Sequence, residues 1–161
     1  MAVQGAPSRK GAKRGLAAGA IDYLAFYRAG PLERIGIVRR GVSAATAKRI
    51  IGDLDIPSGS ATRALNVSVS TLNRKSKDDD ALARDEGERV LGLARLIGQV
   101  KAMVEESGNS AGFDASRWIA RWLGEPLPAL GGARPLDLMD TMEGQGLVAE
   151  TLARLQSGAY G

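Results

Sequence analysis

The stretch ASRWIARWLGEPLPALGGARPLDLMDTMEGQGLVAETLARLQSGAYG, residues 115–161, decides the fold class. Asp114 stands where a helix N-cap belongs, and Trp118, Ile119, Trp122 and Leu123 follow as one apolar stripe of a helix over 115–123. Pro126, Pro128, Gly131, Gly132 and Pro135 then make a connector that no long helix crosses. A short helix around Leu136, with Leu138 and Met139, leads to a longer one. Asp140 or Thr141 caps that last helix, Glu143 lies in its first turn, and Leu147, Val148, Leu152 and Leu155 form its apolar face. Gly158 ends it, leaving Ala159, Tyr160 and Gly161 beyond.

Upstream, the Gly/Ser/Asn-rich residues 107–112 form a loop and a boundary. Before it lies the longest helix, about 81–106, headed by Asp78, Asp79 and Asp80, whose charge suits a helix N-terminus. Val90, Leu93, Ile97, Val100 and Val104 recur along it at spacings of three and four, with Leu96 and Met103 widening the face. That stripe is either a core helix or a dimer seam. Pro31 to Arg40 reads as a helix with Leu32, Ile35 and Val38 on one face and Gly41 as its stop. Ser43 caps the next helix, striped by Ala47, Ile50, Ile51 and Leu54 and closed by Pro57.

Residues 58–75, SGSATRALNVSVSTLNRK, hold two short helix signals around a tight turn. Ser58 caps the first, Asn66-Val67 turns the chain, and Ser68 or Ser70 caps the second. The pattern is that of a helix-turn-helix. Its second helix would offer Ser70, Thr71, Asn73 and Arg74 to base edges, with Arg63 and Lys75 at phosphates. The same unit also serves as a pure packing module. Ile21 to Tyr27 is a short apolar run holding three of the five Tyr/Phe residues, and it should pack on the core. Residues 1–18 carry Arg9, Lys10, Lys13 and Arg14 and no acid, and read as a disordered basic tail. The only segment that could alternate as a strand is 66–72, where the Ser/Thr content favours helix-turn-helix. The fold class is all-α: a basic tail (1–18), a helical bundle with its helix-turn-helix (19–106) and a C-terminal domain (107–161).

Composition narrows the function. The 161 residues are 44% hydrophobic but only 4% aromatic, so aliphatic side chains must fill the core. Cys and His are absent, which removes disulfides, thiol nucleophiles, Ser-His-Asp triads and Cys or His metal sites. Asp137/Asp140 and Glu105/Glu106 are accounted for by capping and solvation. Gly131-Gly132 lacks the Gly-Lys-Ser/Thr of a phosphate loop. No enzyme, cofactor or metal is expected. No apolar run is long enough for a membrane span or a secretory signal, and a cytoplasmic protein is expected. The net charge of +4 is the sum of +10 over residues 1–77 and −6 over 78–161, which suggests two different partners or two halves that attract.

The C-terminal series Trp122-Leu123, Pro126, Pro128-Ala129-Leu130-Gly131-Gly132, Arg134-Pro135-Leu136-Asp137-Leu138, Thr141, Glu143-Gly144 and the ending 155–161 resembles the toxin-binding domain of the Xre/MbcA/ParS antitoxins. Residues 58–75 and their flanking helices resemble the Xre-like helix-turn-helix part of the same proteins, so the resemblance covers about residues 30–161. It implies an all-α, homodimeric antitoxin whose partner is a RES-domain toxin that consumes NAD or, in the ParT-like subgroup, transfers ADP-ribose to a protein. Trp122, Leu130, Gly131, Gly132, Pro135, Leu136 and Asp137 would build the toxin-binding fold. Arg154, Gly158, Tyr160 and Gly161 would lie nearest the toxin, with the C-terminus in its NAD cleft, and such an antitoxin also represses its own operator. On spacing alone, the last helix reads as completing its own core, with a frayed tail. The alternative function is a helix-turn-helix transcription regulator whose C-terminal domain dimerises it. The chain departs from the family pattern in a second helix with one Arg and no Gln, and at Met142 and Gln145-Gly146, where the family carries charge.

Overall fold

A computed structural model describes residues 21–158. Its α-helices are α1 (Tyr23–Arg28), α2 (Pro31–Arg40), α3 (Ala44–Asp53), α4 (Ser58–Ala64), α5 (Val69–Lys77), α6 (Arg84–Glu106), α7 (Ala115–Leu123) and α8 (Met142–Gln156). Two 3-10 turns, Pro128–Leu130 and Pro135–Leu138, lie between α7 and α8. No strand forms among the described residues, and one isolated antiparallel bridge joins Ser43 to Ala81. The all-α reading holds. The tail expected over 1–18, and Tyr160 and Gly161, lie outside the described residues.

Helix α6 is the axis of the molecule, touching α1, α2, α3, α7 and α8. The stripe read from the sequence faces inward: Val90, Leu93, Ile97 and Val100 are buried, which settles it as core rather than seam. Two of its glycines permit close approach. A Cβ on Gly98 would stand 2.1 Å from the Tyr23 carbonyl oxygen, so α1 rests directly on the α6 backbone. A Cβ on Gly92 would collide with the Gln145 amide of α8. Around Gly98, the Tyr23 hydroxyl donates to the Asp53 carboxylate of α3, and Lys101 Nζ lies 5.4 Å from the Tyr23 ring centroid. Burial of the phenol and then the Asp53 carboxylate hold the Tyr23 pKa far above its usual range, so the hydroxyl keeps its proton and remains a donor.

Local signals set most of the boundaries. Ser43, Ser68, Asp114 and Thr141 each accept from a backbone N–H in the first turn of their helices, as expected for N-caps. Ser58 does not cap α4; Pro57 occupies the cap position and Ser58 begins the helix. The long helix starts at Arg84 rather than Ala81, and its first-turn acids are Asp85 and Glu86, not the aspartates at 78–80. The cause is pairing across to α3: Ala44 N–H donates to the Asp80 carbonyl at 2.8 Å and Leu82 N–H to Val42 at 2.9 Å, which keeps 80–82 extended. Asp79 adopts a left-handed φ of 53°, ending α5 in a turn.

Two apolar faces also differ. α2 has no fully buried residue; Leu32 is 85% exposed and Ile35 43%. On α8 the inward face is Gln145, Val148, Thr151 and Leu152, while Leu147 and Leu155 stay on the surface. Gly98→Ala should therefore destabilise the fold by about 1–3 kcal/mol, because backbone rather than a movable side chain stands in the way. Urea unfolding of the variant checks this, and an unchanged midpoint would contradict the close approach of α1.

Candidate functional site

Two surfaces are built on this axis. The first is α4–α5. Asn66 turns the chain with φ 51°, and Val67 N–H donates to the Thr62 carbonyl at 2.9 Å. Leu65, Val67 and Leu72 are buried beneath the pair. Arg89 of α6 fixes the turn from below: its Nε donates to Leu65 O at 2.6 Å and its Nη2 to Asn66 O at 3.0 Å. Its Nη1 reaches Asp85 at 3.2 Å, and that hydrogen bond holds the Asp85 carboxyl below its ordinary pKa. Ser70, Asn73 and Arg74 are exposed on α5, whereas Thr71 is half-buried. Lys75 is also half-buried, and its Nζ donates to the Ala81 carbonyl at 3.3 Å, which turns the ammonium towards the α5–α6 connection.

The second surface is the C-terminal segment. α7 buries Ile119, Leu123 and Trp122, and half-buried Trp118 stacks on Trp122 with centroids 6.1 Å apart and planes 12° apart. The connector then closes on itself: Leu127 N–H donates to Ala133 O at 3.1 Å and Gly132 N–H to Leu127 O at 2.9 Å. Gly131 and Gly132 have φ of 66° and 86°, and a Cβ on either would meet open space, so backbone conformation rather than crowding calls for glycine. Pro135 is buried and Leu130 and Leu136 are half-buried. Asp137 accepts a two-pronged contact from Arg134, Nε at 3.0 Å and Nη2 at 2.8 Å, which raises the Arg134 pKa.

Gly144 shows why the Glu-Gly step is needed in the first turn of α8. Its N–H donates to the capping Thr141 hydroxyl at 2.9 Å, and a Cβ there would stand 2.0 Å from the Leu138 carbonyl. Two glutamines then set the pose of α8 on α6. Gln145 Nε2 donates to Arg89 O and to Met139 O, both at 2.9 Å, and Gln99 Nε2 donates to Ala149 O at 3.0 Å. Gln145 Oε1 is buried without a hydrogen-bond partner, lying against Gly92. Reading apolar positions alone missed both glutamines. The signal was present: Gln145 shares a face with Val148 and Leu152, and Gln99 interrupts the stripe of α6.

The expected site residues fall in separate places. Trp122 and Pro135 lie inside the C-terminal fold, and Gly131, Gly132 and Asp137 lie on its surface. Leu136 and Asp137 share a cleft of about 490 Å³ with Arg63 of α4, Arg134 and Asp140, so a residue expected at DNA meets residues expected at a partner. Arg154 and Gly158 are exposed at the far end of α8, about 20 Å away along the helix at its usual rise. Arg154 pairs with Glu150. The C-terminal departures from the family pattern, Met142, Gln145 and Gly146, line one groove against α2 and α6. Among the described residues no group of His, Cys, Asp or Glu could hold a metal ion.

A helix-turn-helix clamped to a long central helix, with a second helical segment pinned to the same helix by glutamines, is the architecture of a two-part regulator. Residues 33–95 match the family profile described as the antitoxin Xre-like helix-turn-helix domain. Residues 111–158 match the antitoxin Xre/MbcA/ParS C-terminal toxin-binding domain. The chain is 50% identical over 138 residues to the Prs ADP-ribosylating antitoxin of Sphingobium sp. (strain YBL2), covering 86% of this chain and 87% of the relative. The chain belongs to the Xre/MbcA/ParS antitoxin family. Within that fold, Gly144→Ala should cost about 1–3 kcal/mol of stability by forcing α8 away from the Leu138 carbonyl. Thermal unfolding beside Gly146→Ala, whose Cβ meets nothing within 4 Å, separates this clash from a general effect of helical glycine.

Proposed function

We propose that this antitoxin neutralises a RES-domain toxin by placing residues 157–161 in the toxin's NAD cleft. The observation that carries the reading is the division of α8. Val148, Thr151 and Leu152 are buried and Gln145 and Gln99 anchor the helix, whereas every residue from Ala153 to Gly158 is exposed. The helix is buried as far as Leu152 and exposed beyond it, with the contact from Gln156 to Glu106 at the surface. Arg154 and Leu155 flank the exposed end, a cation and an apolar side chain beside whatever the terminal residues enter. The name of the Sphingobium relative joins ADP-ribosylation to an antitoxin, which supports a ParT-like toxin that transfers ADP-ribose over one that only consumes NAD. ADP-ribosyl chemistry then belongs to the toxin, and the antitoxin acts by occlusion, without a cofactor. We place the complex in the cytoplasm and the antitoxin in it as a homodimer. Residues 19–106 and 107–161 divide the labour, the first bearing the DNA surface and the second the toxin surface.

Deletion of residues 157–161 should abolish rescue of cells expressing the toxin while leaving the melting temperature unchanged, because Ser157 and Gly158, where the deletion begins, are exposed beyond the buried face of α8. Full rescue by the truncated chain would sink the insertion mechanism.

Operator repression is proposed as a second activity, supported by Ser70, Asn73 and Arg74 standing exposed on a helix braced by Arg89. Asn73→Ala with Arg74→Ala should weaken binding to the chain's own promoter by about 1–3 kcal/mol per lost base contact and leave toxin neutralisation intact. Equal binding of specific and random duplexes by the unaltered protein would instead make α4–α5 a packing module.

A further inference from the structure

Helices α2, α6 and α8 bound an open groove of about 460 Å³. α6 forms the floor with Leu91, Gly92 and Leu96; α2 supplies Ile35 and Val38 to one wall, and α8 supplies Met142, Gly146 and Ala149 to the other. The walls rather than the floor are open to solvent: Ile35 is 43% and Met142 44% exposed, while Leu91 and Leu96 beneath them are buried; Leu32, elsewhere on α2, is 85% exposed. A helix of ten residues with none fully buried is marginal unless its apolar side is covered. The floor from Arg84 to Leu96 spans about 18 Å, the length of a helix of about three turns.

The rim identifies the occupant. Arg34, Arg39, Arg84 and Arg95 surround the groove, and Glu88 is its one acid. Arg34 donates to the carbonyls of Tyr27 and Ala29 and is repelled by Arg95. Arg39, Arg84 and Arg95 make no ion pair among the described residues. Packing this groove on the same groove of a second copy would bring guanidiniums against guanidiniums. A nucleic-acid backbone would satisfy the rim and leave the apolar floor facing phosphates. An amphipathic helix with carboxylates beside its apolar ridge satisfies both.

We propose that the groove is a second docking site for the cognate toxin, distinct from the end of α8, and that it takes an acidic amphipathic helix of that protein. Apolar side chains at i, i+3 or i+4, and i+7 lie between Ile35 and Met142, and flanking carboxylates meet Arg39, Arg84 and Arg95. The proposal rests on the antitoxin reading but not on insertion of residues 157–161.

Gly146 gives a clean test, because a Cβ there meets nothing within 4 Å and the residue lies inside a helix, where glycine is unfavourable. Gly146→Phe fills the groove without disturbing the core. Titration calorimetry of the full-length chain with the toxin encoded beside it should give a Kd at least tenfold weaker for Gly146→Phe, at an equal or higher melting temperature. The Arg39→Glu, Arg95→Glu double variant should also lose at least tenfold and lose the salt dependence of the wild-type affinity. An unchanged toxin Kd in both variants overturns the proposal. So does an effect confined to the oligomeric state by light scattering, which would assign the groove to a second copy, or one confined to promoter DNA. The deletion of 157–161 is titrated in parallel. A truncated chain that binds but does not protect upholds insertion whatever the groove variants do. Absence of toxin binding by the wild type would remove both proposals.

Discussion

The backbone of α6 is approached more closely than a side chain would allow at two points, and the arrangement of the other helices follows from them. At Gly98 the Tyr23 carbonyl occupies the place of a Cβ, and at Gly92 the Gln145 amide does. α1 and α8 are therefore set by contact with the main chain, where a few tenths of an ångström matter, rather than by adaptable aliphatic packing. The glutamine contacts add direction. Gln145 reaches from α8 to Arg89 O, Gln99 reaches from α6 to Ala149 O, and Gln156 of α8 meets Glu106 at 2.7 Å. These partners advance together along both helices, so α8 runs parallel to α6. Arg89 donates from its side chain to the helix-turn-helix turn and accepts at its carbonyl from α8, so one residue ties both segments to the axis. The apolar cluster is likewise continuous from Tyr23 to Leu152.

The legible parts of the sequence were those whose cause is local. Ser43, Ser68, Asp114 and Thr141 cap their helices because a side-chain oxygen one turn before an N–H is a short-range device. The helix-turn-helix and the stripe of α6 were legible for the same reason. Where tertiary contact competes, the local signal lost. Acids at 78–80 suit a helix start by tenths of a kcal/mol, while the hydrogen bonds from Ala44 and Leu82 fix the chain as extended there. Periodicity placed α8 but not its rotation: the glutamine anchors turn Gln145 and Thr151 inward and leave Leu147 outside. The family motif was legible as a pattern, yet its reasons are spatial. Gly144 answers to a carbonyl of the preceding turn and Asp137 to Arg134.

Charge repeats the lesson at larger scale. Dividing the chain gives a basic front half and an acidic back half, which suggests two electrostatic faces. Folding regroups the charges. Arg34 and Arg39 from the front meet Arg84 and Arg95 from the back around one groove, while Asp85 is held by Arg89. A field is a property of positions in space, and sums along the chain predict it only where the segments stay apart.

The same regrouping bears on the cleft between α4 and the C-terminal connector. Arg63, read from the sequence as a phosphate contact, looks across at Asp137 and Asp140. Asp137 is already engaged by Arg134, which leaves Asp140 as the carboxylate without an ion pair in that cleft among the described residues. A phosphate drawn to Arg63 would approach those two acids as well, and their repulsion offsets part of the attraction. Arg74 stands on α5 and makes no ion pair among the described residues. The electrostatics therefore shift the burden of any duplex contact from α4 towards the exposed face of α5, and leave Arg63 poised between the two surfaces rather than belonging to either.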